Sequence, residues 1–367
     1  MIHARAAIAT SDGSDFTLKD VWLDGPRNDE IVVRIEACGV CRTDTEARHL
    51  TPLPAVFGHE GVGIIEQMGA RVRKLSVGDR VALTYPWCGQ CPNCRARTPY
   101  FCDHNLSLSF SGARADGTSP IRLDGKAISG AFFQQSSFAT HAIATERNAT
   151  RVADDAPSRI VAALTCGVMT GAGAVVNTMR VEKDQSIVIF GGGAVGLSAA
   201  MTARICGAAQ IVVIDVHENR LALAREFGAT GVHASEANAT AFKRLLPGGA
   251  HHVFDTTGQA SVWELAPQIL VTGGQFGAVT TPEPTETWAL RVGPYFEKFA
   301  TLKMIIQGSS KAAQMIPRML EWRRQGDFPI DRLVESFPFA EINAAFAASR
   351  EGRAIKPVLL MPQVDAS

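Results

Sequence analysis

Neither sign of charge is in excess: 36 Lys and Arg residues balance 36 Asp and Glu. The chain as a whole therefore has no field to draw in nucleic acid or an anionic lipid surface, and neither is expected as a partner. The first sixteen residues, MIHARAAIATSDGSDF, contain no apolar run of the length a secretion signal requires. Repeats and low-complexity segments are absent too. One stretch, Gln185 to Ala203, lacks charge altogether and is long enough in principle to span a bilayer. Its centre, GGGAVG, reads better as a turn between a strand and a helix, so no membrane segment is expected. These absences point to a cytoplasmic protein, in a reducing compartment that disfavours disulfides. At 367 residues, 46% of them apolar, the chain exceeds what one core usually supports, and two domains are expected.

Cysteine is scarce, with eight in the chain, yet four fall within YPWCGQCPNCRARTPYFC (85–102). Cys88, Cys91, Cys94 and Cys102 can turn inward from a tight loop onto one ion. A tetrahedron of four sulfurs suits zinc, while an iron–sulfur cluster is the rival for short C-x2-C-x2-C runs. Four protein ligands leave no position for substrate, so the site would be structural.

Three further segments each offer one soft ligand: EACGVCRTD (36–44), FGHEGVG (57–63) and LTCGVMTGAGA (164–174). Cys41, His59 and Cys166 would give a metal two thiolates and an imidazole. That set leaves a fourth position for water or an alcohol, the layout of a catalytic zinc. Cys38 and Cys41 also have the spacing of a redox pair, but no thioredoxin-like context surrounds them.

The strongest local signal runs from 186 to 229. An apolar strand leads into Gly191-x-Gly193-x-x-Gly196 and a helix of small residues, and a second strand ends at Asp215, nineteen residues after Gly196. The first glycine allows a tight turn, the second close approach of backbone to a pyrophosphate, and the third packing of helix on strand. The pyrophosphate would rest on the helix N-terminus, at Ala194 and Val195, where free N–H groups favour anions. Asp215 would accept hydrogen bonds from the adenosine ribose, which predicts NAD rather than NADP, and Arg220 follows five residues on. Residues 1 to about 160 otherwise read as short strands between turns, a β-rich, barrel-like domain. From 168 to about 306 strand and helix alternate (IVIF, IVVIDV, HHVFDTTG and GGQFGAV are the strands), which implies a doubly wound parallel sheet.

Cys41-Arg42-Thr43-Asp44, Gly58-His59-Glu60, Cys166-Gly167 and the four-cysteine stretch together resemble the zinc-dependent medium-chain alcohol dehydrogenases, over almost the whole chain. The resemblance decides for zinc over iron and implies two zinc ions per subunit. It also implies α/β plus β architecture. A discontinuous GroES-like catalytic domain would span 1–167 and 307–367, with a structural-zinc lobe at about 85–105. A Rossmann domain for NAD would span 168–306, and the cleft between them would hold the reactants. LTCGVMTGAGA and FFQQSSFATHAIATERN (132–148) are similar to the benzyl-alcohol (aryl-alcohol) branch. In roles implied by the family, zinc at Cys41, His59 and Cys166 stabilises the alkoxide, Thr43 accepts the hydroxyl proton, and Asp44 fixes the His59 tautomer. Glu60 approaches zinc during ligand exchange, Arg42 and Lys356 contact pyrophosphate, and Thr170 lies on the nicotinamide side. Two features depart from relatives: Glu46 stands where several have the histidine that ends the proton relay, and the Cys41–His59 segment is shorter. The expected activity is reversible oxidation of a bulky primary alcohol to its aldehyde by a homo-oligomer, tetramer or dimer. The alternatives are a formaldehyde- or thiol-adduct-oxidising dehydrogenase and a non-catalytic dinucleotide-binding redox sensor.

Overall fold

The computed structural model describes residues 1–362 except 12, 14, 47, 281–286, 288 and 289. The chain forms two compact units. The first comprises Met1–Gly167, Lys311–Glu321 and Ile330–Ser367, and the second Val168–Ser310 and Trp322–Pro329.

The first unit is built on two sheets. One runs in the order Ala55–Val56, Ile2–Ala9, Thr17–Leu23, Ile121–Leu123 and Lys126–Ile128, all antiparallel. The other runs Ala149–Arg151, Arg80–Leu83, Gly61–Met68, Glu30–Gly39, Lys356–Leu360 and Val334–Pro338. Its centre is Glu30–Gly39, ten residues rich in Val and Ile that suit a pleated, buried surface. This strand pairs with Gly61–Met68, with His141–Thr145 beside its first half, and with Lys356–Leu360 beside its end. Gly63 permits the close pairing, because a β-carbon there would sit 1.9 Å from the Arg34 carbonyl oxygen. The strand from the far end of the sequence thereby brings Lys356 next to the residues that follow Gly39.

The second unit holds six parallel strands in the order Thr230–His233, Gln210–Asp215, Ser186–Phe190, Ala250–Asp255, Leu270–Ala278 and Thr301–Met304. Ser186–Phe190 lies at the middle and is buried at every position, as its unbroken apolar run requires. The chain order reverses on either side of it, and the crevice at the carboxyl ends of such strands is where ligands of open α/β sheets bind. The uncharged stretch at 185–203 is accordingly this strand followed by the helix Ala194–Ile205. Among the described residues no single helix is long and apolar enough to cross a membrane.

Two short strands escaped the sequence reading. Thr230–His233 has a single large apolar residue, and Thr301–Met304 is a largely exposed edge, so neither carries a hydrophobic run. The division at 306/307 also differs from expectation. Residues 307–310 stay with the second unit because Asn177 Nδ2 donates to the Gly308 carbonyl (3.3 Å) and Ser310 Oγ (3.1 Å), while Thr178 bonds Ser309 (2.9 Å). Residues 322–329 group there as well, with Trp322 and Phe328 rings 6.1 Å apart.

A buried charge ties the two sheets of the first unit together. Arg114 forks onto Glu30, Nε to Oε1 at 2.7 Å and Nη2 to Oε2 at 3.1 Å, and reaches Asp24 at 3.2 Å. Glu30 opens the central strand of one sheet and Asp24 follows the strand Thr17–Leu23 of the other. Arg114→Ala leaves the Glu30 charge buried without its counter-ion, held by the Arg27 amide (2.9 Å), so urea unfolding should show a loss of about 3–5 kcal/mol. Arg114→Lys should recover only part of this, because an ammonium lacks the planar fork.

Candidate active site

The segment 88–102 folds so that its sulfurs converge. Gly89, at φ +78°, turns the chain back, and Cys91 caps the short helix Pro92–Arg95, which a proline opens. Backbone N–H groups point at sulfur: Gln90 and Cys91 donate to Cys88 Sγ and Cys88 donates to Cys102 Sγ, each at 3.3 Å, and Cys94 donates to Cys91 Sγ at 3.5 Å. All four Sγ atoms lie within 4.8 Å of one another, and none of the eight cysteines is in a disulfide. Against its desolvation, the Gln90 and Cys91 amides draw the Cys88 thiol down to about 7, while desolvation and the neighbouring Cys91 push Cys94 up to about 12. A cluster in which one thiolate hinders the next is stabilised by a cation at its centre. The donor set, four sulfurs and no oxygen, fits zinc.

The second convergence joins segments far apart in sequence. Cys41 follows the central strand, and Thr43–Glu46 forms one helical turn. Asp44, fully buried, accepts from Cys41 N (3.0 Å) through Oδ2, and from Gly58 N (3.2 Å) and His59 Nδ1 (2.8 Å) through Oδ1. With Nδ1 occupied, His59 turns Nε2 toward Cys166 Sγ, 3.3 Å away. Cys166 follows the helix Ser158–Leu164, and Thr43 Oγ1 lies 3.6 Å from Cys41 Sγ. Ligand atoms of Cys41, His59, Glu60 and Cys166 all fall within 4.8 Å. His59 and Glu60 are buried, whereas Cys41 and Cys166 are partly exposed as residues.

The charges are arranged for an ion. A hydrogen bond from Cys166, aided by His59, lowers the Cys41 thiol well below its ordinary range, and the same bond with burial raises Cys166. Burial opposes charge on His59, but Asp44 and Cys41 outweigh it and raise its pKa. Burial lifts Glu60 to about 7 despite Lys356, which bonds Oε1 at 2.7 Å. Lys356 Nζ also lies 2.5 Å from Glu60 Oε2, and a β-carbon on Gly39 would sit 1.9 Å from that oxygen. Two sulfurs, one imidazole and a carboxylate held aside fit zinc with an open fourth position.

Lys356, expected at a pyrophosphate, is 2% exposed, and its ammonium bonds Glu60 at 2.7 Å and the Val40 carbonyl at 3.2 Å. Its neighbouring strand pairing, invisible in local sequence, brought it to this carboxylate. Arg42, by contrast, is exposed and ion-paired with Glu46 on the same turn.

In the second unit Gly191 adopts φ +99°, and a β-carbon there would meet Thr256 Oγ1 at 2.2 Å. One on Gly196 would lie 1.8 Å from the Gly191 carbonyl, while one on Gly193 would meet nothing within 4 Å. The loop is thus tight where it packs and open at the position where a ligand would approach. Gly193 gives the helix Ala194–Ile205 no side-chain cap, leaving the first amides, at Ala194 and Val195, uncapped by it. Asp215 accepts from Gly192 N (2.6 Å) and His217 N (2.9 Å), with Arg220 Nη1 at 3.4 Å. Thr170 is buried in the helix Gly167–Gly173. These features fit a dinucleotide.

Residues 27–154 match the alcohol dehydrogenase GroES-like domain, and residues 194–323 match the zinc-binding dehydrogenase family. The chain belongs to the zinc-binding alcohol dehydrogenases. It is 42% identical to a geraniol dehydrogenase of Castellaniella defragrans, over 98% of each chain. The crystal structure of an alcohol dehydrogenase zinc-binding domain protein from Burkholderia ambifaria superposes with a TM-score of 0.96 at 38% identity, covering 99% of this chain and 100% of that one. A benzyl alcohol dehydrogenase from Acinetobacter calcoaceticus gives 0.93 at 36% identity, with the same coverage. The fold of this family is the expected one, a GroES-like domain with a Rossmann-type parallel sheet.

The sequence reading missed the surroundings of His59, where Phe133 and Gln135 pack, and the role of Gly39 in seating Glu60. None has a local signature beyond the glycine itself.

Two clusters of this kind predict two zinc ions per chain by elemental analysis. Cys94→Ser should remove one of them and lower thermal stability, since binding energy at a structural site is also folding energy. One zinc in the wild-type chain, or iron, would contradict the reading of 88–102.

Proposed function

We propose that this dehydrogenase oxidises a bulky primary alcohol, aryl, allylic or terpenoid, reversibly to its aldehyde with NAD as hydride acceptor. The observation that carries the reading is the convergence of the ligand atoms of Cys41, His59 and Cys166, with that of Glu60, to within 4.8 Å of one another. Zinc bound by these three residues would polarise the substrate hydroxyl as a Lewis acid, and bound NAD would accept the hydride.

The remaining work falls to side chains. Thr43, whose hydroxyl lies beside Cys41, would accept the proton that leaves the alcohol oxygen while passing its own hydroxyl proton on toward solvent. Asp44 holds the proton of His59 on Nδ1 and so keeps Nε2 free to ligate. Lys356 bonds Glu60, which would approach a bound zinc during ligand exchange. Gly191, Gly193 and Gly196 with the amides at Ala194 and Val195 receive the pyrophosphate, Arg42 adds a positive charge to it, and Thr170 supports the nicotinamide. Glu46, paired with Arg42, stands where several relatives end the proton relay with a histidine.

Two observations support the choice of a bulky alcohol. Phe110, Phe132 and Phe133 gather beside His59, with Phe110 half-buried. The relatives described above act on geraniol and benzyl alcohol. A homo-oligomer is supported by the sheet edge Thr301–Met304, whose Leu302 and Met304 are exposed beside Phe296 and Phe299.

In a panel with NAD, benzyl, cinnamyl or geraniol-type alcohols should exceed ethanol in kcat/KM, because apolar burial contributes roughly 25 cal/mol per Å². Ethanol as the best substrate, or formaldehyde oxidation that requires glutathione, would contradict this.

NAD should surpass NADP by orders of magnitude in kcat/KM, since a 2′-phosphate would face the Asp215 carboxylate and lose a hydroxyl donor. Arg220 at 3.4 Å is already engaged by that carboxylate. Asp215→Ser should narrow the gap chiefly through KM; equal use of both cofactors by the wild type would refute the assignment.

A further inference from the structure

The segment FFQQSSF, 132–138, has a cost written into its backbone. Phe133 (φ +51°), Gln134 (+52°) and Ser136 (+48°) all occupy the left-handed region, which side chains with a β-carbon rarely enter. Such a conformation persists only where its surroundings enforce it. Here they do so through a dense set of buried bonds. Asn148 Nδ2 donates to the carbonyls of Phe133 (3.4 Å) and Gln134 (3.2 Å). Gln134 Nε2 donates to those of Leu108 (3.1 Å) and Ala113 (2.8 Å), and Ser136 Oγ to that of Val56 (2.7 Å).

What this loop encloses is His59. Gln135 Nε2 donates to the His59 carbonyl (3.0 Å), and Gln135 Oε1 accepts from Gly61 N (3.2 Å). The amides of Ser137 and Phe138 bond the carbonyls of Gly58 (2.8 Å) and Phe57 (2.9 Å). Phe133 then lies flat on the imidazole, with ring centroids 4.4 Å apart and planes at 24°, while Phe132 meets it edge-on at 5.8 Å. Phe110, from the helix Asn105–Phe110, stands perpendicular behind Phe133 at 5.4 Å. Asp44 fixes His59 only at Nδ1, which leaves the ring free to tilt about that bond. The stacked face removes this freedom.

We propose that Phe133 is a positioning residue for the metal: its strained backbone presses an aromatic face onto His59 and locks the direction of Nε2. The proposal rests on the reading of Cys41, His59 and Cys166 as metal ligands. Its prediction is about ion retention rather than turnover, because a ligand free to swing lets the ion go. Phe133→Leu keeps the β-carbon, and so the backbone strain, but loses the flat face; Phe133→Tyr keeps the face.

The test follows release of zinc from the loaded protein to a chromophoric chelator, with His59→Ala and Cys94→Ser assigning the two phases. Phe133→Leu should release the His59-site ion about tenfold faster, the scale seen when groups that orient a ligand are lost. Release from the four-cysteine lobe should not change, and Phe133→Tyr should stay within about twofold of wild type. In the cobalt-substituted protein, the visible bands of the His59 site should broaden in Phe133→Leu and not in Phe133→Tyr. Wild-type release rates in Phe133→Leu overturn the proposal, and equal acceleration at both sites does so too by showing a loss of packing alone. A wild-type chain carrying only the lobe ion overturns the metal reading itself, and the proposal with it.

Discussion

The site depends on one carboxylate. Asp44 has no contact with solvent, yet it accepts hydrogen bonds from Cys41 N, Gly58 N and His59 Nδ1, and so joins two segments fifteen residues apart. One bond sets where Cys41 starts its turn, another seats the loop before His59, and the third decides which imidazole nitrogen is free. A buried acid normally carries a penalty, which three donors offset. Without it neither ligand has a reason to face the other.

The two cysteine clusters meet the same physical demand in different ways. At 88–102 the chain itself supplies amides to the sulfurs, all four ligands lie within fifteen residues, and three of the four cysteines are buried. At Cys41, His59 and Cys166 long-range packing does the work, and both cysteine residues keep partial exposure. The first arrangement closes around an ion, and the second leaves room for a reactant. Glu60 shows how that room is guarded. It stays beside the sulfurs but is bound by Lys356, which comes from the last strand of the sheet.

Features written in contiguous residues were legible in the sequence. The cysteine spacing at 88–102, the glycine loop at 191–196 with its acid at 215, and the buried strand Ser186–Phe190 each announce themselves within a short window. The proposed ligand triplet Cys41, His59 and Cys166 needed a family resemblance, since a lone His or Cys carries little signal. What stayed hidden depends on distant packing. Nothing local sets Lys356 against Glu60, a contact made by strand pairing, and nothing local marks Phe133 as left-handed, because glycine is the usual sign of that conformation. The edge strand Thr301–Met304 lacked a signal because it is only four residues long and three of them are exposed.

The central claim is that one ion sits among Cys41, His59 and Cys166 with a position left for the alcohol. Anomalous diffraction at the zinc edge, on crystals soaked with benzyl alcohol, tests it directly. The account predicts a peak bonded by Cys41 Sγ, His59 Nε2 and Cys166 Sγ, a fourth bond to the alcohol oxygen, and Glu60 still paired with Lys356. No peak at that position, or Glu60 as its permanent fourth ligand with the alcohol excluded, would contradict it.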